Sequence, residues 1–130
     1  MPIPTIELQK SLFSALSSGY KVYEIVPSFA DMPYITIDNE TILTDDTKTN
    51  PRYVITKTIS TWSQGSSSSQ SKTINDFVIK KLLRTDLVVN GFFVDFVSLE
   101  LLTTQVEKDE TIHENIFHGI LQIEFTLMEV

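Results

Sequence analysis

The stretch FHGILQIEFTL, residues 117–127, carries the cleanest alternation of apolar and polar side chains in the chain. Phe117, Leu121, Ile123, Phe125 and Leu127 fall on one side, and His118, Gln122, Glu124 and Thr126 on the other. In an extended chain successive side chains point to opposite faces, so the pattern predicts a strand with one face buried. Working back along the chain, Asn90-Gly91 is a turn signal, and residues 92–106 after it are strongly β-prone. There Val97, Leu99 and Leu101 share one side. The charged run EKDETIHEN, 107–115, reads as the connection between these two long strands, which makes them an antiparallel pair.

Upstream, residues 73–84 place Ile74, Phe77, Val78 and Leu82 on one helical face. Asp76 lies toward the start and Lys80, Lys81 and Arg84 toward the end, the order the helix dipole favours. The low-complexity run SQGSSSSQS, 63–71, precedes this helix, and its last serines are candidate caps. Residues 52–62 alternate as a strand, with Tyr53, Ile55 and Ile59 facing one way and Val54 and Trp62 the other. Lys57 interrupts the first series, which suggests a sheet edge or a subunit boundary.

Residues 5–18 form a second amphipathic helix on Leu8, Leu12 and Leu16, with Thr5 as its N-cap and Gly19 just past its end. Short β-prone runs follow at 20–26 and 34–37. The polar, acidic run 38–51 reads as a long loop with room for a small hairpin. The element order α, β, β, β, α, β, β predicts an α+β fold. Its mixed, mostly antiparallel sheet carries two amphipathic helices packed on one face.

A chain of 130 residues fits one domain, 1–130, and its 42% hydrophobic content is enough for a core. There is no cysteine, which excludes disulfides and thiolate metal sites. No apolar run has the length of a membrane span, and the start MPIPTIELQK lacks the pattern of a secretory signal. Seventeen acidic against ten basic residues argue against a surface that neutralises nucleic-acid phosphates.

The residues give no case for catalysis. The two histidines, His113 and His118, stand five apart at a loop-to-strand junction, where they read as surface or edge residues rather than as a metal pair with Glu114. The four scattered glycines form neither a phosphate-binding loop nor a dinucleotide fingerprint, and no serine sits in a nucleophile motif. Asp38, Glu40, Asp45 and Asp46 lack the spacing of a calcium loop. No catalytic residue, metal ligand or cofactor site is therefore assigned.

The order and local wording of nearly the whole chain resemble the tail-completion, or tail-terminator, proteins of siphophages. The resemblance rests on the opening helix ending in Leu16-Ser17-Ser18-Gly19, on Val22-Tyr23, and on Pro33-Tyr34-Ile35-Thr36-Ile37. It continues through Ile59-Ser60-Thr61-Trp62-Ser63, the helix of Ile74, Phe77, Val78 and Leu82, and His118-Gly119-Ile120-Leu121 leading into the closing strand. What the resemblance implies is a non-enzymatic assembly protein of the virion, made in the host bacterial cytoplasm. Its subunits form a ring, typically of six, that terminates the tail tube at the head-proximal end. The implied partners are further copies of itself, the tail tube protein and a head-completion or connector protein, with no membrane and no specific nucleic-acid binding. Asp45, Asp46 and Lys48 in one charged loop, and Glu107, Lys108, Asp109 and Glu110 in the other, are candidate contacts with a neighbouring subunit, the tube or the connector. Two other readings stay open: another neck, head-closure or minor tail protein, and a small ligand-binding domain.

Overall fold

The computed structural model describes residues 3–44, 51–109 and 114–130. The order is α1 (Thr5–Leu16), β1 (Lys21–Tyr23), β2 (Tyr34–Thr44), β3 (Arg52–Gly65), α2 (Ser69–Leu83), β4 (Phe92–Asp109) and β5 (Glu114–Glu129). The strands form one sheet in the order β1-β2-β3-β5-β4. Only β1 and β2 run parallel; the other three pairings are antiparallel. The predicted α+β class, mixed sheet and element order all hold.

Alternation in β3 and β5 explains why the helices lie where they do. Register places Tyr53 beside Leu127, Ile55 beside Phe125 and Ile59 beside Leu121, all buried. Against this apolar strip α1 lays Leu8, Leu12 and Leu16, and α2 lays Ile74, Val78 and Leu82. Each buried leucine or isoleucine removes enough apolar surface from water to contribute about 2 kcal/mol before entropy is counted. Among the described residues no helix lies on the opposite side of the sheet.

Several sequence expectations need correction. Lys57 does not mark an edge: β3 is central, and Lys57 is 3% exposed on the helix side. Its ammonium donates to Gln9 Oε1 of α1 at 2.7 Å and lies 3.3 Å from Glu40 Oε1 of β2, so a buried cation is paired across two elements. Pro4, not Thr5, holds the N-cap position of α1, its carbonyl accepting from Leu8 N–H. The helix expected at 73–84 starts earlier, at Ser69, so Asp76 lies mid-helix and pairs with Lys80 at 3.0 Å. Ser68 takes its N-cap position without a side-chain hydrogen bond.

The two supposed loops are largely strand. β2 continues to Thr44 past a register shift between Ile37 and Glu40, so most of 38–44 pairs with β3. β4 reaches Asp109 and β5 begins at Glu114, so Glu107, Lys108, Glu114 and Asn115 are ladder residues. In both places the strand ends are solvated on both faces, and without a buried face there is no alternation to read. On β4, register shifts fall at Asp95 and Glu100. The second turns Leu101 toward Gln122 and sets Leu102 beside Leu121, so Leu102 and not Leu101 shares the side of Leu99.

Two glycines have a clear physical need. Gly91 turns into β4 at φ +84°, a conformation side chains disfavour. Gly119 lies in β5 against Asn75 of α2: a methyl there would collide with Thr61 Oγ1 and Asn75 Oδ1, themselves joined by a buried hydrogen bond. Gly119→Ala is therefore expected to lower stability by roughly 1–3 kcal/mol, the range for overpacking a tight site. Urea unfolding of both chains measures it; an unchanged midpoint would show that α2 does not pack as described.

Candidate functional site

With both helices on one side, the residues free to meet a partner lie on the uncovered sheet face and along the outer strand β4. On the uncovered face the strand registers build a row of rings. Tyr34 stands opposite Trp62, and Trp62 opposite His118. The Trp62 and His118 rings stack at 3.7 Å and 12°, Tyr34 stacks on Trp62 at 6.3 Å, and Tyr23 meets Tyr34 edge-on. Trp62 Nε1 donates to Thr36 Oγ1 at 3.2 Å, which fixes the indole. Sequence reading missed this row because its members come from four strands whose pairing is not local.

A polar chain runs beside the rings. Ser60 Oγ donates to Asp38 Oδ2 at 2.5 Å, and His118 Nε2 lies 3.0 Å from the same Ser60 oxygen. A serine has one hydroxyl proton and a carboxylate only accepts, so Ser60 gives its proton to Asp38 and accepts from His118 Nε2–H. The residue types are those of a hydrolase triad, but the order is not. A triad needs histidine in the middle and an accessible serine, whereas here serine is in the middle and is 2% exposed. The arrangement ties β2, β3 and β5 together and leaves no nucleophile for a substrate.

Among the described residues no group of three or more histidine, aspartate or glutamate side chains could hold a metal ion. His113 lies outside the described residues, so the His113–His118 pair is not placed. Asp45, Asp46, Lys48 and Glu110 also lie outside them. Glu107 and Lys108 are placed: both are exposed, on neighbouring positions near the far end of β4. The backbone of Asp109 ends the strand and pairs with Glu114.

β4 is the sheet's long outer edge, 18 residues against three for β1 at the other edge. From Leu101 to Lys108 every residue is exposed, so both faces of this half are open to solvent. Leu102 and Val106 lie on the helix side but beyond the helices' cover. Nearer its start the Asp95 bulge, with Asp95 held to Arg52 Nη2 at 3.0 Å, turns Phe96 to the same face as Phe93. Without that extra residue the two rings would point to opposite faces. They help line an open groove of about 550 Å³ that continues onto Leu83 at the end of α2 and Leu87 and Val88 beyond it. A long edge with apolar side chains is a surface that folding alone leaves unsatisfied.

No protein-family model and no curated protein matches the sequence. Among solved structures, a chain described as "Virion of native gene transfer agent (GTA) particle" superposes with a TM-score of 0.59. The match covers 95% of this chain and 91% of that one at 17% identity. The likeness is one of fold.

The ring row also makes a pH prediction. Burial pushes the His118 imidazole below its ordinary value, with the Asp38 and Glu107 carboxylates acting weakly the other way. The unfolded chain then takes up its proton first, near pH 6.5, so stability falls as pH drops through that value toward the lower folded one, and this group has no effect above it. His118→Gln is expected to lose less stability than the wild type between about pH 7.5 and 5.5. Parallel decline of the two unfolding midpoints would contradict the assignment.

Proposed function

We propose that this protein is a non-enzymatic structural subunit of a phage-like virion. More specifically, it is a ring-forming subunit, six to a ring, that terminates the tail tube at its head-proximal end and offers its other side to a head connector. The observation that carries the first statement is the near full-length superposition on a virion chain. The finer statement is supported by the resemblance of the sequence to tail-completion proteins and by the build of the sheet. In this reading residues 1–130 act as one domain, and the chain is assembled in a bacterial cytoplasm and resides in the virion.

The physical mechanism is geometric. Subunits that join head to tail through two different surfaces close into a ring when the rotation per subunit divides a full turn. This chain supplies distinct surfaces at its two sheet edges, a short strand with an apolar loop at β1 and a long open strand at β4. The charged residues Asp45, Asp46 and Lys48, and Glu107, Lys108, Asp109 and Glu110, are in this reading the contacts with the tube or the connector. The surplus of acids is compatible with DNA passing through the ring without adhering, since like charges repel.

The test is light scattering over a concentration series, followed by electron microscopy of the protein mixed with purified tail tubes and, separately, with heads. A closed ring, free or seated on one end of the tube, is the expected result. Charge reversal at Asp109 and Glu110 should weaken seating without unfolding the subunit. A monomer that ignores tubes but binds heads would instead identify a head-closure component, and one that ignores both would overturn the virion reading.

A further inference from the structure

We propose that neighbouring copies join by inserting the β1–β2 connection of one subunit into the groove at the start of β4 of the next. The proposal deepens the ring reading and rests on it. The inserting segment is 24–31, between β1 and β2. It carries Ile25 and Phe29, which are 88% and 82% exposed, and Ile6 of α1 stands near Glu24 at its root. Large apolar side chains this exposed add nothing to the subunit's own core. The segment is held in shape rather than left loose: Gln9 donates to Glu24 at 2.9 Å, and Ala30 N–H closes a turn on the Pro27 carbonyl.

The receiving groove lies on the other edge of the same sheet, four strand spacings away, roughly 19 Å. Its apolar floor includes Phe93, Phe96, Leu87 and Val88, with Phe93 and Phe96 60% and 59% exposed. The bulge at Asp95 sets these two rings side by side, and that placement serves no contact within the subunit core. Charge favours the same pairing. The segment 24–31 carries Glu24 and Asp31 and no base, while Lys81 and Arg84 flank Leu82 and Leu83, which line the groove; Lys80 is held by Asp76, and of the two acids in the lining Asp95 is held by Arg52 and Asp86 opposes.

Apolar knob and apolar groove on opposite edges of one chain cannot satisfy each other within that chain. A two-fold pair meeting at like edges would leave the unlike surface of each subunit free, and one exchanging knob and groove reciprocally would stop at a dimer. Head-to-tail joining uses both on every subunit, which is the contact a closing ring needs.

The absence of cysteine permits a clean test. Phe29→Cys and Phe93→Cys are introduced singly and together, and each chain is treated with a short bis-maleimide at high concentration and on tail tubes. Both positions are exposed, so unfolding midpoints should match the wild type. The double variant is expected to give a ladder that stops at one closed species larger than a dimer, and each single variant should give little; a product that stops at the dimer would overturn head-to-tail joining. Phe29→Ala is expected to raise the concentration for half-assembly about tenfold or more. Efficient crosslinking of Phe29→Cys alone would overturn head-to-tail insertion in favour of a symmetric contact. Rings seen by microscopy without a ladder would overturn this contact and leave the ring reading standing. An open-ended ladder without rings would support the contact and count against the ring, whereas neither ladder nor assembly would overturn both.

Discussion

Fourteen consecutive residue pairs join β3 to β5 without a register shift, and the rest of the molecule is arranged around that ladder. Side chains on a strand alternate, so an unbroken register fixes two surfaces at once. One is the apolar strip of Tyr53, Ile55, Ile59, Leu121, Ile123, Phe125 and Leu127, which draws both helices to the same side. The other carries Trp62, His118, Ser60, Gln122 and Glu124 and stays without a helix. A one-residue slip would exchange the two surfaces. The bulges lie outside this ladder, in β2 and in β4, where they bend or re-aim the flanking strands and leave the centre intact.

The same constraint accounts for what the sequence discloses and what it conceals. Residues 117–127 announce their strand because burial differs sharply between their faces. So do the leucines of α1 and the Ile74, Val78 and Leu82 series of α2. Strand ends at Thr41 to Thr44 and at Glu107 and Lys108 carry no such contrast, and they read as loop. Lys57 misleads for a different reason. A lysine among core residues suggests an edge until Gln9 and Glu40, 48 and 17 residues away in the chain, are seen to meet its ammonium. The bulges at Asp95 and Glu100 have no local signature either, since a bulge is a relation between two strands. These bulges decide the face shown by Phe96 and by Leu101, so the candidate contact surface was less legible than the fold.

In the reading proposed above, function rests on surfaces rather than on a reactive centre. Asp38, Ser60 and His118 come together with hydrolytic residue types, yet their order and the burial of Ser60 make them a clip between strands. The large apolar side chains left exposed include Ile25 and Phe29 at one sheet edge and Phe93 and Phe96 at the other. In the proposed reading these unlike apolar edges are what neighbouring copies join by.

The central claim is that the sheet edges, and not the outer faces of the helices, carry assembly. Amide hydrogen exchange, compared between the free subunit and the subunit bound at tail-tube ends, tests it directly. The account expects slower exchange on binding in residues 24–31 and along 92–109, with the amides of 5–16 and 69–83 unchanged. Protection that appears on the helices instead, with β4 exchanging as fast as in the free chain, would contradict it.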